Sequence, residues 1–353
     1  MTVAATLPVV SLQPKDYASD AEVRWCPGCG DYSILAQLKK VLSTLGRDPD
    51  RTVFISGIGC SSRLPYYLST YGLHGIHGRA PAIASGLRLV RQDLEIWVIT
   101  GDGDGLSIGG NHLLHAIRRN LNIKILMFNN RIYGLTKGQV SPTSEMNKKT
   151  VSTPHGSVGA MISPCSFALG CEATFVARSV DMIPNHLQYV LERAARHEGV
   201  AFVEIYQNCN IFNDGAFQHA TDREIRDDNL IELSHGKALI FGRNQDRGIR
   251  LGSGYRPEVV RFGENGVSIY DLLIHDERAP APALAFLLSR LQYPEFPEPI
   301  GVFRDVQAPI YDRLIHEQVQ RLTAEKGPGD LQKLMYGPET WEVRAGEEPV
   351  FHG

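Results

Sequence analysis

Two groups of residues in this sequence have types and spacings that can do chemistry. The first is a set of cysteines. Trp25-Cys26-Pro27-Gly28-Cys29-Gly30 holds a Cys-x-x-Cys pair, while Cys60 and Cys209 stand alone in Gly57-Ile58-Gly59-Cys60 and Gln207-Asn208-Cys209. One pair plus two distant singles can supply the four thiolates that a 4Fe–4S cluster takes. The same pair can serve as half of a zinc site or as a redox dithiol. A zinc ribbon asks for a second Cys-x-x-Cys, which the sequence lacks. A thioredoxin-like dithiol asks for a strand just before the pair, where this sequence is polar. Cys165 and Cys171 sit in a small apolar segment and read as buried structural thiols. Six cysteines in a chain of 353 residues do not suggest a disulfide framework.

The second group is rich in glycine, carboxylate and amide. A β-branched run, Glu95–Thr100, leads straight into Gly101-Asp102-Gly103-Asp104-Gly105. Glycines at a strand end permit a tight turn and let backbone N–H groups approach phosphate oxygens. A helix starting there points its positive end at the same phosphates. The next apolar run ends in Asn129-Asn130-Arg131-Ile132-Tyr133-Gly134. A carboxylate on one strand end and an amide on its neighbour can face a single cation, and Mg²⁺ favours a few protein oxygens completed by phosphate. An EF-hand is excluded, because Gly110 and Asn111 stand near where the late bidentate acid belongs.

These residues need a scaffold that brings them together. Thr52–Ser56, Glu95–Thr100, Ile123–Phe128 and Val200–Tyr206 are apolar without alternation, which predicts strands of a parallel sheet covered on both faces. Leu106, Leu113, Ile117 and Leu121 can share one helical face, and Pro184–His197 predicts another helix with proline in its first turn. Strands alternating with helices give right-handed crossovers and an α/β, doubly wound, mostly parallel sheet. After about residue 225 the texture becomes polar and proline-rich, with one further helix expected at Tyr311–Lys326. The expected division is an N-terminal segment with the Cys-x-x-Cys loop (1–50), an α/β domain (51–225) and a less regular C-terminal extension (226–353).

Composition bounds the remaining choices. Apolar residues make up 43% and charged residues 21%, as in ordinary globular proteins. The 36 lysines and arginines against 39 acids leave a net charge of −3, which argues against nucleic-acid or polybasic membrane binding. No apolar stretch is long enough to span a bilayer, and the stretch from Met1 to Pro14 lacks the basic start of a secretory signal. The expected location is the cytoplasm.

Taken together, WCPGCG, GIGCSS, HGIHGRAPAIASG, GDGDGLSIGGNH, NNRIYGLTKGQVSPTS and EIYQNCNIFND resemble the β subunits of 2-oxoacid:ferredoxin oxidoreductases, in order from about Trp25 to Asp214. The likeness leans to the 2-oxoglutarate branch. It implies the diphosphate-binding half of a thiamine-diphosphate fold. It also implies that Cys26, Cys29, Cys60 and Cys209 ligate one 4Fe–4S cluster. Asp102 and Asn130 would bind Mg²⁺ through side chains and Ile132 through its carbonyl. Ile58, Gly59, Cys60, Ser61, His77, Gly103, Asp104, Gly134 and Leu135 would contact thiamine diphosphate, and Lys137 would meet the substrate carboxylate or CoA. His74, His112 and His115 carry no implied role.

The resemblance further implies oxidative decarboxylation of a 2-oxoacid, with the acyl group passed to CoA and the electrons to ferredoxin. Run backwards, the same reaction fixes CO2. The glutamate that activates thiamine belongs, in this family, to a pyrimidine-binding domain on an α subunit. The expected assembly is therefore a dimer of αβ heterodimers, in which the β chain is inactive alone. Rival expectations are a pyruvate or branched-chain 2-oxoacid enzyme, a non-redox thiamine-diphosphate subunit, and a zinc-binding interaction module.

Overall fold

A computed structural model describes residues 12–264, 266–341, 343, 345 and 346. Most of the stretch from Met1 to Pro14, read above as lacking signal character, and the last residues of the C-terminal extension lie outside the described residues. The strands are β1 (Thr52–Ser56), β2 (Tyr71–His74), β3 (Glu95–Gly101), β4 (Lys124–Asn129), β5 (Phe175–Val180), β6 (Ala201–Tyr206), β7 (Leu230–Leu233), β8 (Ile240–Phe241), β9 (Arg247–Leu251), β10 (Pro257–Arg261) and β11 (Glu298–Asp305). The helices that follow the chain are α1 (Asp31–Thr44), α2 (Ala80–Val90), α3 (Asp102–Leu106), α4 (Gly110–Arg118), α5 (Pro164–Gly170), α6 (Pro184–Arg196), α7 (Gln218–Thr221), α8 (Arg226–Asn229), α9 (Ala283–Ser289), α10 (Tyr311–Lys326) and α11 (Leu331–Tyr336).

Eight of the described strands form one sheet in the order β2-β1-β3-β4-β6-β5-β11-β7. Neighbours run parallel except β5 and β11, which are antiparallel. Every residue of β1, β4, β5 and β6 is buried, the signature of a sheet covered on both faces. One face packs against α1, α6 and the turn after β1, with Leu38, Leu64, Leu187 and Leu191 in a common core. The other packs against α2, α4, α5 and α9, with Ala84, Leu113, Ala168 and Leu288 in a second core.

The predicted strands and the helices beginning at Pro184 and Tyr311 appear within a residue or so of their expected bounds. The helix expected across Leu106 to Leu121 is instead broken, ending at Leu106 and restarting at Gly110. Its four leucine and isoleucine residues still share one core, so the apolar period reported burial rather than continuity. The region after residue 225 is more regular than its polar texture suggests. β7 and β11 extend the main sheet, and β8, β9 and β10 form a small antiparallel sheet of their own. Phe241 and Ile249 of that small sheet join the core under α4 and α5.

The chain divides into two compact units, one ending at Tyr311 and one running from Asp312. The second unit consists of most of α10, then α11 and the residues after it.

The order of strands fixes where a ligand can sit. From β1 the chain moves outward to β2, then crosses to β3 on the opposite side of β1 and proceeds to β4. The connections leaving β1 and β3 pack on opposite faces, as Leu64 and Leu106 show by joining different cores. A crevice is left outside the carboxyl ends of those two strands, the usual binding place in doubly wound sheets.

Candidate active site and cysteine cleft

The crevice at this switch point has a volume of about 130 Å³. The loop after β1 (Ile58 to Ser61), the turn after β3 (Gly101 to Asp104) and the turn after β4 (Asn130 to Thr136) all line it, with His77 and Asp31. Every thiamine contact implied by the sequence therefore borders one space. Asp102, Asn130 and Ile132 border it too.

Local chemistry holds these side chains in place. The Asp102 carboxylate accepts hydrogen bonds from Ser141 Oγ and Thr143 Oγ1, each 2.5 Å long. Asn130 Oδ1 accepts from Ile132 N at 3.2 Å, and Asn130 Nδ2 donates to Gln207 Oε1 at 2.9 Å. Burial pushes the Asp102 carboxyl upward, against the pull of the Ser141 and Thr143 bonds. A divalent cation beside it would favour the ionised form again, so the donor set fits Mg²⁺.

Asp104 is the clamp of the crevice. One oxygen accepts from Ile58 N (3.1 Å), Gly78 N (2.7 Å) and His77 Nδ1 (2.6 Å), and the other from Thr100 Oγ1 (2.7 Å). Its carboxylate ties together β3 and the loops after β1 and β2. Gly103 lies under Tyr133, whose ring stands 2.3 Å from where a Cβ would be, and Tyr133 Oη donates to Gly103 O at 3.0 Å.

Beside the crevice lies a cleft of about 300 Å³ lined by Cys26, Cys29, Cys60 and Cys209. Trp25 Nε1 donates to Cys60 O at 2.7 Å, and its ring packs edge-on against Tyr32 and Tyr67. Asn210 Nδ2 donates to Pro27 O (2.7 Å), Gly30 N to Asn208 O (3.2 Å), and Gln207 Nε2 to the Cys29 sulfur (3.2 Å). These bonds lash the Cys-x-x-Cys loop to the Cys209 loop across 180 residues of sequence. Gly30 could carry no side chain, because a Cβ would lie 1.8 Å from Asp181 Oδ2. Gly28 adopts φ +84°, the left-handed conformation the turn between the two cysteines requires.

The sulfurs approach one another without converging on a point. A Cβ at Gly134 would stand 3.4 Å from the Cys209 sulfur and 3.9 Å from that of Cys60. Among the described residues no three His, Cys, Asp or Glu side chains are placed to hold one metal ion. A polynuclear cluster spreads its ligands around a larger body, so four thiols facing one cleft fit that donor pattern. Burial raises the Cys60 thiol to about 11, with Asp31 and Cys209 adding to it, and raises Cys29 further. Cys165 is buried in the core, its thiol donating to Glu204 Oε2 at 3.2 Å, and Cys171 stands outside the cleft.

Cys60, Asn130, Gly134 and Leu135 border both spaces. Lys137 is exposed at the cleft, on a loop closed by the Tyr133–Gln139 bridge, rather than in the crevice. Several residues without a role in the sequence reading belong to the site. Ser141 and Thr143 orient Asp102, Gln207 joins Asn130 to Cys29, and Asp31 borders the crevice with its carboxyl pushed up to about 7 by burial. Ser141 and Thr143 lay within a quoted motif, but a hydroxyl in a polar loop carries no signal of its partner.

The fold and site define the class first. Residues 57–205 match the family model for the thiamine pyrophosphate enzyme C-terminal TPP binding domain. The chain is 53% identical to 2-oxoglutarate oxidoreductase subunit KorB of Mycobacterium tuberculosis, over 93% of this chain and 88% of the relative. It is 42% identical to the β subunit of 2-oxoacid:ferredoxin oxidoreductase 1 of Aeropyrum pernix, over 56% of this chain and 62% of that one. The structure of 2-oxoglutarate:ferredoxin oxidoreductase from Magnetococcus marinus superposes with a TM-score of 0.72 and 31% identity, covering 95% of this chain and 98% of that chain. This chain is thus a thiamine-diphosphate-binding oxidoreductase subunit. More particularly, it belongs to the β subunits of the 2-oxoacid:ferredoxin oxidoreductases, with 2-oxoglutarate enzymes among its relatives.

Proposed function

We propose that this chain is the cofactor-binding half of a 2-oxoglutarate:ferredoxin oxidoreductase. The enzyme converts 2-oxoglutarate and CoA to succinyl-CoA and CO2, passing two electrons and releasing one proton, and run in reverse it fixes CO2. The observation that carries this reading is the shared wall between crevice and cleft. When bound, thiamine diphosphate supplies a carbon nucleophile for the 2-oxoacid and a 4Fe–4S cluster accepts electrons one at a time.

The residues divide that work. Asp102, Asn130 and the Ile132 carbonyl would hold Mg²⁺ and, through it, the diphosphate. Asp104 fixes the loops after β1 and β2 against β3, and holds His77 at the crevice through its Nδ1. Cys26, Cys29, Cys60 and Cys209 would hold the cluster beside the Ile58 to Ser61 loop. Lys137, at the cleft, would meet the carboxylate of the substrate or CoA.

Among the described residues there is a single doubly wound sheet, and the glutamate that activates thiamine would come from an α subunit, in a dimer of αβ heterodimers. Thiols kept free for a cluster suit the cytoplasm, and among the described residues no helix is long and apolar enough to cross a membrane. Anaerobic co-purification with the partner chain tests the whole reading. Iron, sulfide and thiamine diphosphate should all be present, with ferredoxin reduced faster on 2-oxoglutarate than on pyruvate. Preference for pyruvate would move the substrate, and equimolar zinc without visible absorption would remove the redox role.

A further inference from the structure

We infer that the rim of the cysteine cleft is the docking surface for an acidic protein electron carrier, an inference that rests on the proposed function. Arg24 and Arg63 line the cleft beside Lys137, the residue given above to the substrate or CoA, and no carboxylate is among its lining residues. Glu22 pairs with Arg24 at 2.8 Å, but both side chains are about two-thirds exposed or more, where such a pair contributes little. The rim is therefore net positive.

Between the cations lie exposed apolar side chains: Leu135 (46% exposed), Ile211 (56%) and Phe212 (39%). Cys26 is the exposed member of the cysteine set. An apolar centre, a charged rim and a cysteine open to solvent are what a short-lived redox encounter needs. Such complexes bury little area and rely on complementary charge for their rate of association. A small anionic ligand would use the cations but would have no use for the apolar trio, which is why a protein partner is assigned.

The test uses the anaerobic holoenzyme, with an acidic two-cluster ferredoxin as one acceptor and methyl viologen as the other. Arg24→Glu should raise the KM for ferredoxin about tenfold with kcat held, while methyl viologen reduction and the cluster absorption stay unchanged. Raising the salt should raise the wild-type KM for ferredoxin and leave methyl viologen unaffected. Arg63→Glu should act in the same direction; if that variant loses its cluster, the Arg24→Glu result decides. A ferredoxin KM indifferent to both charge reversal and salt, with methyl viologen activity intact, overturns the docking surface alone. A raised KM for CoA in place of ferredoxin also overturns it, by giving the cations to the co-substrate. Absence of 2-oxoglutarate-dependent methyl viologen reduction in the wild type defeats the proposed function instead.

Discussion

In the crevice at the ends of β1 and β3, most polar groups already have protein partners, Asp31 Oδ1 being an exception. Asp104 takes four donors, Asp102 takes two hydroxyls, and Asn130 is bonded at both ends. In the neighbouring cleft the backbone is lashed together just as firmly, yet the thiols have few partners and burial holds two of them protonated. The crevice is finished by the polypeptide and receives a ligand into fixed geometry. The cleft is shaped by the polypeptide and, on the proposed function, would be completed by metal, since a bound cation is what turns a buried thiol into a thiolate. One wall serves both, so the two halves can be perturbed separately and compared.

The largest separation should come from Cys26→Ser. It is expected to abolish the cluster and ferredoxin reduction while thiamine diphosphate still binds, as read by iron and sulfide content beside a thiamine titration. Retention of a full cluster would break the ligand assignment. Asp102→Asn should do the converse. Thiamine diphosphate affinity in Mg²⁺ should fall by at least about tenfold, with the visible absorption of the cluster untouched.

A smaller effect is expected at the clamp. Asp104→Asn leaves some of its four donors, two of them buried, unsatisfied, and urea unfolding should show a loss of about 2–4 kcal/mol. Stability unchanged within error would mean that the clamp is dispensable.

Two pH dependences follow from burial. Because Cys60 sits at about 11 and Cys29 is also raised, loading iron must release protons. Reconstitution of cluster-free chain should therefore be favoured as pH rises above neutral, and a flat profile would contradict it. His186, which lines neither space, is pushed down to about 4 by burial from an ordinary value of 6.5. Between those values the unfolded chain holds the extra proton, so its contribution is complete above pH 6.5 and is lost as pH falls toward 4. His186→Gln should flatten that limb of the stability curve. Least of all should change in Cys171→Ser, which is expected to spare cluster and cofactor alike.

Much of the crevice was legible before any coordinates. Asp102 and Asn130 each follow an uninterrupted apolar run, and a parallel strand's end is where a doubly wound sheet exposes its loops. β2 and β5 were harder. β2 is exposed along three of its four residues, and β5 carries Arg178 and Ser179 amid its apolar positions. Arg178 is buried because Glu204 of the adjacent β6 bonds it at 2.8 Å, a partner 26 residues away that no local pattern announces. β11 and the small sheet escaped for a related reason, their burial depending on what packs against them.

The order of residues alone determined which chemistry was available: thiols in one pair and two singles, a carboxylate and an amide after successive strands, and glycines where backbone must approach a ligand. Those are properties of residue type and local spacing. Only the tertiary structure decided that Gln207, two residues before Cys209, bonds Cys29, that Ser141 and Thr143 hold Asp102, and that Asp104 bonds β3 and the loops after β1 and β2 at once. Contacts between segments far apart in sequence arise from the sheet order, and the sheet order is a property of the packed whole.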